Sequence, residues 1–128
     1  MTSQIAVEAG PLRRLIDDYF EAWRGTDSDR VLDYFSDDAV VTLLGDGAIL
    51  SGKDMVAERW VIPMMRKYSG NDHQITSVLE ADNQIAVEWL YTAVHVSTGK
   101  ELRLQGCSLY WMDGNLIERG HVYFTSLR

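Results

Sequence analysis

Lys100-Glu101-Leu102-Arg103-Leu104-Gln105-Gly106-Cys107-Ser108-Leu109-Tyr110-Trp111-Met112, Asp113-Gly114-Asn115, and then Leu116 through Thr125 form the stretch around which the rest of the chain is organised. It reads as two long β runs joined by an Asp-Gly turn. One alternate set holds Arg103, Gln105, Cys107, Leu109 and Trp111, with Ile117, Arg119, His121, Tyr123 and Thr125 across the turn. The other holds Leu102, Leu104, Gly106, Ser108, Tyr110 and Met112, with Leu116, Glu118, Gly120, Val122 and Phe124. A strand with one wet face alternates cleanly, and neither set here is cleanly polar. The sheet is therefore expected to be covered on both sides, with one side lining a partly polar cavity. The set carrying Arg103, Gln105, Cys107, His121 and Tyr123 is the one expected to face it.

Working outward, the chain is one domain's worth of sequence: 128 residues, 46% hydrophobic and 24% charged, enough to bury a core. The expectation is a single domain over 1–128, with residues 1–10 as a loose arm. No apolar run approaches the roughly 20 residues of a membrane helix, and the N-terminus has neither the basic start nor the apolar core of a signal peptide. A cytoplasmic location follows, and a lone Cys107 is consistent with a reducing compartment. Nineteen acidic against twelve basic residues leave a net charge of -7, the wrong sign for holding a phosphate backbone, so no nucleic-acid partner is expected.

Upstream, Pro11 suits a first helical position, and Leu12, Leu15, Ile16, Tyr19, Phe20 and Trp23 recur at spacings of three and four up to Gly25. Thr26-Asp27-Ser28-Asp29 caps a short second helix through Val31, Leu32 and Phe35. Ala39 to Leu44 reads as a strand, and Gly45-Asp46-Gly47 as a turn. Ser51-Gly52-Lys53-Asp54 has capping-box spacing for a third helix with Val56, Trp60 and Met64 on its inner stripe, and Pro63 predicts a kink or break over 59–63. From His73 the pattern is β to the end. Helices followed by a meander of strands make an α+β chain: a cone-shaped, curved, mixed or antiparallel sheet wrapped around three N-terminal helices, with a ligand site at the open end.

The order of helix, Gly25-Thr26-Asp27, helix, Tyr34-Phe35-Ser36-Asp37-Asp38-Ala39-Val40, Ser51-Gly52-Lys53, helix, then Gly106 through Trp111, Asp113-Gly114-Asn115 and Tyr123-Phe124 resembles the SnoaL-like polyketide cyclase group. That group lies within the nuclear transport factor 2-like superfamily, beside ketosteroid isomerase, limonene epoxide hydrolase and scytalone dehydratase. The resemblance spans about Leu12 to Ser126 and implies the cone fold, a homodimer and a range of chemistries. It places the isomerase's oxyanion tyrosine on Tyr19 and its general-base aspartate on Leu43. The penultimate-strand acid falls near Cys107, the arginine and aspartate of the epoxide hydrolase on Trp89 and Tyr91, and the last-strand aspartate on His121. In a second likeness, His73-Gln74-Ile75-Thr76-Ser77 is similar to the dehydratase branch, whose histidine pairs with an aspartate matching Asp27.

The candidate catalytic residues are therefore His121 as acid/base, Tyr19 as hydrogen-bond donor, and His73 with Asp27 as a base and its orienter. Trp23, Trp60, Met64, Trp89, Tyr91, Arg103, Gln105, Cys107 and Tyr123 are the candidate ligand contacts, although the aromatic ones serve equally as core. His73, His95 and His121 show no metal-ligand spacing and no phosphate loop or dinucleotide fingerprint occurs, so neither metal nor cofactor is expected. Two functions remain open. One is a cofactor-independent enzyme of isomerase, cyclase, dehydratase or epoxide hydrolase type, acting on an apolar molecule bearing a carbonyl, hydroxyl or epoxide. The other is a non-catalytic binding or assembly module using the same cone. Convergence of His121 and Tyr19 on one cavity discriminates between them.

Overall fold

A computed structural model describes residues 10–127, so the expected loose arm lies, apart from Gly10, outside the described residues. The first helix, α1, spans Pro11–Arg24. Its stripe is inward as the periodicity requires, with Leu12, Ile16, Tyr19, Phe20 and Trp23 all buried. Gly10 at the N-cap offers no side chain. A distant carboxylate replaces it: Glu80 accepts from Leu12 N–H at 3.3 Å and Arg13 N–H at 3.1 Å, which ties the helix start to the sheet.

Helix α2 (Ser28–Leu32) is capped by Asp27, whose carboxylate accepts from Asp29 N–H at 3.0 Å. The third helical segment runs as α3 (Lys53–Val56), a π-helical turn (Ala57–Val61) and α4 (Ile62–Lys67). The break expected near Pro63 takes this wider form, because proline supplies no N–H to the helical ladder. The expected capping box does not form. Gly52 is the N-cap at φ 91°, without a side-chain cap, and Ser51 N–H meets the sulfur of Met55 instead.

Six strands make one curved sheet: β1 (Phe35–Leu43), β2 (Ala48–Ser51), β3 (Tyr68–Ala81), β4 (Gln84–His95), β5 (Glu101–Asp113) and β6 (Leu116–Ser126). Their order is β2-β1-β6-β5-β4-β3, antiparallel except for the parallel β1–β6 pair, so the sheet is mixed. The helices cover its concave side, where Val41, Leu43, Val87, Trp89, Tyr91, Tyr110 and Val122 are buried with the α1 stripe. Among the described residues no helix is long and apolar enough to cross a membrane.

The C-terminal hairpin forms with its two alternate sets intact, but the set that faces inward is the other one. Ser108 pairs with Val122, Tyr110 with Gly120 and Gly106 with Phe124 on the concave face. Arg103, Gln105, Cys107, Trp111, His121 and Tyr123 lie on the convex face. Two glycines explain the choice. A Cβ on Gly106 would stand 2.4 Å from the Trp89 ring and 2.5 Å from the Tyr123 carbonyl oxygen, and one on Gly120 would stand 2.8 Å from the Tyr110 ring. The missing side chains make room for large rings on that face alone. Ile117 leaves its expected set and is buried, because a bulge between Trp111 and Met112 shifts the register.

Candidate active site

Between the concave face and the helices lies a cavity of about 290 Å³, roughly the liquid volume of ten waters. Helix α1 contributes Tyr19, Phe20 and Trp23, and the third helical segment contributes Trp60 and Met64. The sheet contributes His73, Trp89, Tyr91, Ser108, Tyr110 and Phe124. A mostly apolar, aromatic wall with a few polar atoms is the composition of a small-molecule site.

The polar atoms form two groups. In the first, the hydroxyls of Tyr19 and Tyr110 lie 3.2 Å apart, and both residues are buried. Trp89 Nε1–H donates to Ser108 Oγ at 3.0 Å, and the Ser108 hydroxyl in turn bonds Tyr110. The hydroxyls of Tyr19, Tyr110 and Ser108 hold three protons and share two mutual bonds, so one O–H of the three is left to donate whichever way those bonds run. Burial raises both hydroxyls above the ordinary phenol value, Tyr19 well above it, because a phenolate there would lose its hydration. The pair therefore stays protonated and serves as a donor.

The second group centres on His73. Bulges in β3 between Ser69 and Asp72 and between Ile75 and Ser77 bend the strand on either side of it. Its ring lies against Phe20 and Tyr91, with centroids 4.8 and 4.6 Å away. Burial, reinforced by the Arg24 guanidinium, lowers its pKa from 6.5 to about 3, so the imidazole is neutral at ordinary pH. Arg24 itself is held at the surface by Asp72 at 2.9 Å and Glu21 at 3.0 Å. Beside His73, the Tyr91 hydroxyl donates to Asn71 Oδ1, and Asn71 Nδ2 donates to the Tyr68 carbonyl at 3.3 Å.

The structure thus brings Tyr19, Trp23, Trp60, Met64, His73, Trp89 and Tyr91 of the expected set to one cavity. It leaves the others outside it. His121 stacks edge-on against Trp111 at 5.0 Å on the convex face, with the Arg119 guanidinium 4.2 Å from the Trp111 ring centroid. His121 and Tyr19 do not converge. Arg103 is exposed and lies 4.0 Å from Glu101, and Gln105 and Tyr123 are also exposed. Cys107 is half-buried on the same convex face, its thiol raised by burial and by Glu88. Asp27 is engaged as the α2 cap, and among the described residues no hydrogen bond or ion pair joins it to His73.

The resemblance carried the penultimate-strand acid to near Cys107 and the last-strand aspartate onto His121. In a pleated strand, a slip of one residue moves a side chain to the opposite face. The residues that face the cavity there are Ser108, Tyr110 and Val122, and Leu43 lines it from β1. Tyr110, Ser108, Phe20 and Phe124 were not among the expected contacts. Their signal was present in the set that held Gly106 and Gly120. Among the described residues no group of three or more His, Cys, Asp or Glu is placed to hold a metal ion.

The SnoaL-like domain family matches residues 16–120, and the chain belongs to it. A comparison with curated proteins finds no match. Among solved structures, a hypothetical protein of Catenulispora acidiphila with a ketosteroid isomerase-like fold, in complex with trimethylamine, superposes with a TM-score of 0.79 at 17% identity, covering 91% of this chain and 88% of that one. A protein of Shewanella putrefaciens, provisionally named a SnoaL-like polyketide cyclase, gives 0.79 at 11% identity, covering 91% of each chain. An NTF2-like protein of Burkholderia thailandensis gives 0.72 at 11% identity, covering 88% of each. At these identities the likeness is one of fold.

Proposed function

We propose that this SnoaL-like domain binds an apolar small molecule bearing a carbonyl, hydroxyl or epoxide oxygen and acts on it by acid/base catalysis without a cofactor. The observation that carries the reading is the buried Tyr19–Tyr110 hydroxyl pair, 3.2 Å apart, in the wall of an aromatic cavity. The free O–H of the cluster this pair forms with Ser108 is suited to a substrate oxygen that gains negative charge as an enolate or alkoxide forms, and the low dielectric strengthens such a bond. His73 is the neutral imidazole in the same wall and is suited to accept a hydrogen bond from the substrate. Family, cavity chemistry and donor geometry support isomerisation, cyclisation, dehydration or epoxide opening as the reaction class.

A thermal-shift screen with steroid, terpenoid-epoxide and aromatic polyketide mimics tests the reading, on wild type beside the Tyr19→Phe/Tyr110→Phe double variant, which removes both phenol donors, because a ligand of the folded state raises the melting point by mass action. One class is expected to stabilise wild type and to do so less in the double variant, with product formed from that class. Absence of any shift, or an identical response in a folded double variant, overturns it. A non-catalytic binding or assembly module is the second reading, and two observations favour it, the first being that His121 and Tyr19 do not converge on one cavity. Among the described residues the only carboxylate in the lining is Asp46, which is solvent-exposed. Binding without product would select this reading.

The same proposal takes the protein to be a homodimer joined through the convex sheet face, where Trp111 and His121 are half-exposed and Tyr123 is 47% exposed.

A further inference from the structure

Among the described residues, neither ring nitrogen of His73 makes a hydrogen bond: Nδ1 is enclosed without a partner, and Nε2, which is not enclosed, has none either. A neutral imidazole carries one donor and one acceptor; folding leaves the enclosed Nδ1 unmatched, which buried polar groups rarely tolerate, and leaves Nε2 open to a partner. The side chain also stands in a partition. With Phe20 it lines the inner cavity on one side, and on the other a surface cleft that includes Arg13, Asp17, Glu21 and Arg24.

The surroundings choose the tautomer. Phe20 and Tyr91 flank the ring, Trp89 meets it edge to face at 5.4 Å and 84°, and Trp23 lies at 6.1 Å. Aromatic faces are negative, so an N–H enclosed among them is weakly attracted while a bare lone pair is repelled. Among the described residues no carboxylate bonds the ring to impose the opposite arrangement. The charge of the cavity narrows the ligand further. Among the described residues no Lys or Arg lines it, and burial keeps the imidazole neutral, so an anion entering it would meet no countercharge from them.

The geometry points to a hydroxyl-selecting contact: His73 holds its proton on Nδ1, and Nε2 accepts a hydrogen bond from a neutral, hydroxyl-bearing ligand of phenol or enol type seated in the cavity. This rests on the cavity being the ligand site proposed above, and it names the substrate class. Ethers of the same skeleton would lack the donor, and carboxylates would bring a charge that no cation in the lining offsets.

The test joins ¹⁵N-histidine NMR of the full chain with binding of 2-naphthol, 2-methoxynaphthalene and 2-naphthoate to wild type and His73→Phe. The Nδ1–H tautomer is expected for His73. Binding of 2-naphthol should exceed that of its methyl ether by about five-fold, the yield of one net hydrogen bond, and naphthoate should bind weakest. In His73→Phe the naphthol-to-ether ratio should fall to about one, with the ether still bound. An Nε2–H tautomer, or a naphthol preference that survives in His73→Phe, overturns this assignment while leaving the cavity as a ligand site. Failure of all three naphthalenes to bind wild type overturns the site itself, and the assignment with it. The wild-type NMR remains decisive if His73→Phe does not fold.

Discussion

Replacing Gly106 with alanine will destabilise the fold sharply, because the new methyl group has nowhere to go. Its position is 2.4 and 2.5 Å from two atoms of the Trp89 ring and 2.5 Å from the Tyr123 carbonyl oxygen. The ring can swing aside only by giving up its 3.0 Å bond to Ser108. The carbonyl belongs to β6, opposite β5, and can retreat only by opening that pairing. Overpacking of this kind costs about 1–3 kcal/mol, and a buried indole N–H left unsatisfied costs about 1–3 more. Alanine returns roughly 0.5–1 kcal/mol through the smaller entropy of its unfolded chain. The net loss is about 1–5.5 kcal/mol, or a fall in melting temperature of roughly 3–22 °C for a chain of this size. Thermal melts by far-ultraviolet circular dichroism measure it, with tryptophan fluorescence reporting the displaced ring. Gln105→Ala, one residue away on the exposed face, is the control and should stay within about 0.5 kcal/mol of wild type. A Gly106→Ala protein that melts with or above wild type would refute the assignment of inner and outer faces, and the cavity wall with it.

Glu80→Ala removes the acceptor for two N–H groups at the start of α1, 3.3 and 3.1 Å away, and should cost about 1 kcal/mol in denaturant unfolding; Glu80→Gln, which retains an acceptor, should cost less. His73 predicts a pH dependence. The unfolded imidazole takes up a proton below about 6.5 while the folded one stays neutral down to about 3, so stability falls as pH falls through that window. The slope attributable to this group is at most about 1.4 kcal/mol per pH unit, and denaturant curves from pH 4 to 8 should show it reduced in His73→Phe; equal slopes would contradict the burial argument. Asp27→Ala should lose about 1 kcal/mol as a cap mutant while its ligand-induced thermal shift matches wild type, since Asp27 serves α2 and not the cavity. A lost ligand response in a folded Asp27→Ala protein would restore it as the orienter of His73.

Much of the fold was legible because its signals are local. The spacing of Leu12, Ile16, Tyr19, Phe20 and Trp23 sets one helical face wherever the helix is placed, and Pro63 must disturb whatever helix contains it. The alternation of the C-terminal hairpin likewise survives intact as two faces. The aromatic part of the cavity was legible for the same reason: Tyr19 and Trp23 lie on the α1 stripe, and Trp89 and Tyr91 share one face of β4.

Which face of β5 and β6 turns inward was not local information. Period two divides His121, Tyr123, Arg103 and Gln105 from Tyr110, Ser108 and Val122, but it is symmetrical between inside and outside. The choice falls to contacts far apart in sequence: Trp89 filling the space over Gly106, Tyr110 the space over Gly120, and Tyr19 reaching Tyr110 across 91 positions. His73 shows the same division. The sequence by itself supplied an imidazole at the head of a β run and an acidic residue at Asp27 to pair with it. Tertiary packing gave the carboxylate to a helix cap and closed Phe20, Trp23, Trp89 and Tyr91 around the ring, and removing water from an unpartnered imidazole is what keeps it neutral.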